Sequence, residues 1–134
     1  MTEKMLYTQF LQANIRRYGW QSFIIKIASV FLTLAFLLSA FSSPSALNIS
    51  SGASLWLACA VVLAFLLWCG DGHSADMMDQ YNQLYEAAQQ EKVQGAKMKI
   101  DCNHLSVTAI WRPTILAFHV PMMAMLILMG LAAK

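Results

Sequence analysis

The sequence predicts an all-α integral membrane protein with three transmembrane helices and a cytoplasmic helical extension between spans two and three. Of its 134 residues, 58% are hydrophobic and 12% charged, against about 45–50% and about 25% in soluble domains. Three apolar runs are long enough to cross about 30 Å of hydrocarbon. All charges except Lys26 and Lys134 lie in 1–22 and 71–113. These observations exclude most soluble proteins and a disordered chain. The net charge of +2 is too small to suggest binding of duplex nucleic acid by bulk charge.

The first segment, 1–22, is predicted to be a cytoplasmic amphipathic helix. Its apolar residues recur at helical spacing among polar ones, which is typical of a helix that lies on the membrane or packs against a second helix at 76–92. The alternative is a partly ordered leader. Arg16 and Arg17, next to Tyr18 and Trp20, favour a helix anchored at the membrane interface.

The membrane spans are predicted at 23–41, 53–69 and 114–133, with an outer loop at 42–52. A cleaved signal peptide is the alternative for the first run, but a polar segment precedes it and no convincing small-residue cleavage site follows. The outer loop carries no charge, whereas basic residues precede the first span and lie between the second and third. The positive-inside rule therefore predicts that the N-terminus lies in the cytoplasm and the C-terminus outside.

The segment at 70–113 is predicted to be cytoplasmic and helical in its first half. No proline lies between Asp71 and Arg112, so the second span can continue into the cytoplasm as one long helix. Asp71, Asp76 and Asp79, with His73, form a weak candidate metal site. The favoured interpretation is solvated carboxylates near the start of a helix, and we predict no metal. Structural roles near the membrane are predicted for Trp68, Asp71, Tyr81 and Tyr85.

Four polar residues inside the spans are candidates for a pore or another intramembrane role. Lys26 is either an anchor whose amine reaches the headgroups or part of a pore or partner site. With Ser29 and Thr33 it lies on one helix face, which can line a water-filled path in an oligomer; alternatively, the hydroxyls bond back to their own helix. His119, before Pro121, is either a proton-sensitive gate or a neutral residue bonded to a neighbouring helix.

Sequence motifs give no support to catalysis. The chain has no HExxH, Walker or glycine-rich dinucleotide motif, and we predict neither enzymatic activity nor a cofactor. An odd number of cysteines without a CxxC pair argues against a disulfide framework and a zinc site. A lipid-modifying enzyme that uses the juxtamembrane carboxylates is the least favoured interpretation.

The chain resembles a group of small bacterial three-helix membrane proteins over nearly its full length. The group shows an Asn-x-x-Arg segment, a Ser-Phe-x-x-Lys start to the first span, a Trp-x-x-Asp sequence ending the second and a following Leu-Tyr pair. The matching residues here are Asn14 and Arg17, Ser22, Phe23 and Lys26, Trp68 and Asp71, and Leu84 and Tyr85. Gly72, His73 and Ser74 replace the aromatic and basic residues that usually follow the Trp-x-x-Asp sequence.

Some proteins of this kind accompany nucleotidyltransferases in antiphage systems such as Hailong, where they are ion-channel effectors. The resemblance therefore implies a homo-oligomeric channel or pore in the bacterial inner (cytoplasmic) membrane. It would depolarise that membrane and be controlled through its cytoplasmic helices by a nucleotide or oligonucleotide. Five basic residues are candidates for binding that anion: Arg16, Arg17, Lys97, Lys99 and Arg112. Alternatively, these residues anchor the protein at the cytoplasmic surface of the membrane. The competing hypothesis is a small immunity or accessory subunit that binds a toxin or a larger membrane complex.

Overall fold

The computed structural model describes residues 3–42, 52–89 and 107–132. These residues form four helices: α1 (Glu3–Ser42), α2 (Gly52–Gln89), the single turn α3 (Val107–Ile110) and α4 (Pro113–Ala132). No strand occurs in these three ranges. The predicted all-α class is therefore confirmed.

Three of the helices, α1, α2 and α4, are long and apolar enough to cross a membrane. The prediction of three membrane spans is therefore confirmed by the length and composition of these helices. With 40 residues in α1 and 38 in α2, each is nearly twice as long as the roughly 30 Å of hydrocarbon requires at about 1.5 Å per residue. Part of each helix must therefore lie outside the hydrocarbon, and the polar ends of the two helices are 3–22 and 71–89.

The polar ends of α1 and α2 pack against each other in antiparallel fashion. Leu11 and Met77 are each 1% exposed and form a small apolar core with Tyr81, Leu84 and Ala88. The N-terminal segment is thus continuous with the first span and packs on α2, which is the second of its two predicted arrangements. The outward face of the same segment remains exposed at Phe10.

The continuity of α2 follows from its sequence. It runs from Gly52 to Gln89 through Gly70 and Gly72 without a break, as expected from the absence of proline. Gly72 faces α3 so closely that a Cβ there would lie 3.3 Å from the Cα of Ile110. Glycine at this position thus lets the turn before α4 rest directly on α2.

Candidate functional site

The three long helices meet at one carboxylate, that of Asp71 on α2. Its side chain is fully buried, with 0% exposure. Ser22 and Lys26 approach it from α1, and His119 approaches it from α4. We call these four residues the Asp71 cluster.

The geometry of the Asp71 cluster uses both carboxylate oxygens. Oδ1 accepts a hydrogen bond from the Ser22 hydroxyl, and Oδ2 lies 3.0 Å from Nε2 of His119. The Lys26 amine lies 3.3 Å from Oδ2 and also donates to the Ser22 hydroxyl over 2.8 Å. Because Ser22 and Lys26 are one helical turn apart on α1, both reach the same side of α2.

The charges of the cluster are compensated within the protein. A buried carboxylate is stable only when it is paired and hydrogen-bonded, and here a lysine supplies the counter-charge. The hydrogen bond from Nε2 of His119 requires a proton on that nitrogen, which the charged ring and one neutral tautomer both provide. His119 is 3% exposed, whereas the Lys26 side chain keeps 35% exposure. Lys26 is therefore more exposed than His119, and Ser22 is also partly exposed.

Trp68 forms one wall of the site. Its indole Nε1 donates a hydrogen bond to the carbonyl of Ile110 over 3.0 Å. Its ring is nearly parallel to that of His119, with an angle of 8° between the planes and 6.2 Å between the centroids. Trp68 thus links the turn that precedes α4 to the histidine that binds Asp71.

A second ionic group lies one to two turns further along α2. Arg112, just before α4, pairs with Asp76 at 3.2 Å and also with Asp79. An anionic ligand would therefore have to compete for the Arg112 guanidinium with two carboxylates that already contact it. These pairs are partly exposed, so water screens them more than the Asp71 cluster.

The remaining residues of the predicted intramembrane polar set lie apart from the cluster. Ser29 and Thr33 are each 4% exposed. Their hydroxyls donate to the carbonyls one turn earlier, at Ile25 and Ser29, over 2.9 Å each. In this arrangement they bond to their own helix and face the interior of the chain, which is the alternative to a pore-lining role.

The predicted residues nearer the helix ends are distributed along the α1–α2 pair. Tyr81 stacks on Tyr18 with 5.6 Å between ring centroids, and the Tyr85 hydroxyl accepts a hydrogen bond from Gln12 over 2.8 Å. Arg16 and Arg17 are exposed on α1. The two lysines of the predicted anion site, Lys97 and Lys99, lie outside the described residues.

One expectation about the acidic residues is wrong. Asp71 is not a solvated carboxylate at the start of a helix, because it lies in the middle of α2 and is fully buried. Asp71 turns toward α1 and α4, whereas Asp76 and Asp79 pair with Arg112. Within the described ranges, no three acidic, histidine or cysteine side chains come together as a metal site.

Sequence reasoning did not assign a site role to Ser22. The signal was its position one turn before the intramembrane Lys26, on the same face.

Comparison of the chain with protein-family models, curated proteins and solved structures finds no match.

Proposed function

We propose that the protein is an oligomeric inner-membrane effector of bacterial antiphage defence. In this proposal it is an ion channel or pore that depolarises the membrane when activated. A nucleotide or oligonucleotide made by a partner nucleotidyltransferase controls it through the cytoplasmic ends of α1 and α2. The observation that carries the proposal is the fully buried Asp71, bound to both α1 and α4.

The Asp71 cluster has the properties of a latch for a resting state. Ionisable side chains within or beside spans are costly and commonly mark ion pathways or switches. Here one anion on α2 holds groups from the two other long helices, so a movement of α1 or α4 away from α2 would break the pairing. Such a movement would expose Asp71 and Lys26 as hydrophilic groups along the newly opened path.

The α1–α2 pair gives a physical route from a cytoplasmic signal to the latch. Ser22 and Lys26 belong to the same helix as Leu11, and Asp71 belongs to the same helix as Met77. A ligand that shifts the packing of Leu11 against Met77 therefore also shifts the cluster. Arg16, exposed on this pair, is suited to an anionic ligand.

The channel needs several copies of the chain. Three spans from one chain enclose too little space for an aqueous path, since their facing surfaces are already packed together around buried residues such as Ala60 and Leu126. The resemblance to small three-helix effectors supports the same assembly. The antiphage role depends on that resemblance.

The proposal is tested by expressing Asp71→Asn in bacteria and following membrane potential with a voltage-sensitive dye. Asparagine keeps hydrogen-bonding capacity but loses the charge that holds Lys26, so we expect depolarisation and arrested growth without any signal. Glu86→Gln is the matched control, because it removes a carboxylate that is exposed on the same helix. Unchanged potential with well-expressed, membrane-inserted Asp71→Asn would contradict the latch.

A further inference from the structure

A regular stripe of exposed positions runs along the whole of α1. It consists of positions 6, 10, 13, 17, 20, 24, 27, 31, 34 and 38, which we call the α1 seam. The spacing alternates between four and three residues from one end to the other. This is the heptad spacing that holds helices together in coiled coils.

Every position of the α1 seam is exposed. Phe10 is 57% exposed, Trp20 63% and Phe31 66%. The side of α1 that packs within the chain is a different one, marked by the buried Leu11, Ser29 and Thr33. The seam is thus an apolar surface that the chain leaves uncovered.

Lipid covers only part of the seam. The 40 residues of α1 extend about 60 Å at about 1.5 Å per residue, whereas a bilayer with its headgroups is about 40–45 Å thick. Leu6 and Phe10, at the polar end of α1, therefore lie beyond the hydrocarbon with more than half of each side chain exposed. The occupant of the seam must be apolar both in water and in the membrane.

We propose that the α1 seam binds the α1 seam of a second copy of this chain in a parallel coiled coil. A second α1 has the required length and the same division into aqueous and membrane parts. Copies inserted with one orientation present their α1 helices in parallel, and the strict seven-residue repeat favours a left-handed supercoil. This inference rests on the proposed homo-oligomeric function and names the surface that builds the oligomer.

Arg17 is the charged position of the seam. A single polar residue at such a position fixes the register of a coiled coil at a cost in stability. In a parallel pair the two Arg17 side chains face each other, and their like charges weaken the association. Replacing Arg17 by leucine should therefore strengthen it.

Disulfide trapping in isolated membranes tests the pairing. On a background with Cys59, Cys69 and Cys102 changed to serine, Ala13→Cys places a thiol in the seam. Gln12→Cys is the matched control, because the neighbouring Gln12 is also exposed but points toward Tyr85. After oxidation with copper phenanthroline we expect at least about tenfold more covalent dimer from Ala13→Cys.

Two further variants of the α1 seam should change the amount of trapped dimer in opposite directions. Added to Ala13→Cys, Arg17→Leu should increase the trapped fraction, and Phe10→Glu should reduce it to the level of the control. Phe10 is exposed, so this change leaves the interior of the chain intact. Circular dichroism of each variant checks that the helix content is unchanged.

The outcomes separate this inference from the proposed function. Equal trapping of Ala13→Cys and Gln12→Cys in a complex whose mass is several chains would overturn the seam and leave the channel standing. Strong seam trapping in a protein that never conducts ions would contradict the channel and keep the seam. A monomer, or a seam cross-linked to a different protein, would overturn the pairing of two copies.

Discussion

Nε2 of His119 lies 3.0 Å from Oδ2 of Asp71, and both side chains are almost completely buried. The two residues are 48 positions apart in the sequence and belong to α4 and α2. Since a buried carboxylate needs partners, this contact fixes where α4 lies relative to α2.

Replacing His119 by leucine should destabilise the protein. The change removes one partner of a buried carboxylate, which costs about 1–3 kcal/mol or more when the group left behind is charged. Thermal unfolding in detergent measures the effect. His73→Leu is the control, because Nδ1 of His73 is buried without a hydrogen-bond partner among the described residues, and a small effect is expected there. Equal losses for the two variants would contradict a special role for His119.

Replacing Lys26 by methionine should lower the free energy of unfolding by more than the replacement of His119 by leucine does. Breaking a buried ion pair by removing one partner typically costs about 3–5 kcal/mol, and the 35% exposure of Lys26 places the expected value at the lower end of that range. Denaturant titration in mixed micelles checks it. Arg16→Met, the loss of an exposed cation on the same helix, should change stability by less than about 0.5 kcal/mol.

The double variant Lys26→Met/Asp71→Leu completes the test of the ion pair. Removing both charges eliminates the uncompensated carboxylate, so much of the stability lost in Lys26→Met should return. A double variant no more stable than the single one would show that Lys26 acts independently of Asp71.

Two glycine substitutions should have opposite effects. In Gly72→Ala the new Cβ lies 3.2–3.3 Å from atoms of Ile110, so α3 must shift away from α2. The hydrogen bond from Trp68 to Ile110 then weakens, and tryptophan fluorescence should report the change. In Gly19→Ala the nearest atom is 3.7 Å away, and the better helix propensity of alanine should add up to about 1 kcal/mol.

The core between the polar ends of α1 and α2 should depend on Leu11. Leu11→Ala removes a side chain that is 1% exposed and should cost about 2–5 kcal/mol. Hydrogen exchange should show faster exchange of backbone amides in 3–22. Met5→Ala, at a half-exposed position of the same helix, should leave exchange almost unchanged. Equal protection in both variants would mean that this core does not hold the polar ends together.

The spans and the continuity of α2 could be predicted because both depend on local sequence. An uninterrupted apolar run defines a membrane helix, and the absence of proline after Asp71 allowed α2 to continue. The contacts of Asp71 with Lys26 and His119 could not be predicted, since they depend on how three distant helices pack. The surroundings of Ser29 could not be predicted for the same reason. Its position on a polar stripe of α1 does not show whether that stripe faces water or another helix.

Ion flux from liposomes containing the purified protein tests most directly that Asp71 holds a channel closed. Vesicles with wild-type protein should release trapped potassium slowly in the absence of ligand. Vesicles with Asp71→Asn should release it at least about tenfold faster, and those with Glu86→Gln should resemble wild type. Equal, background-level release from all three preparations, with the protein inserted and helical, would contradict the proposed channel and its latch.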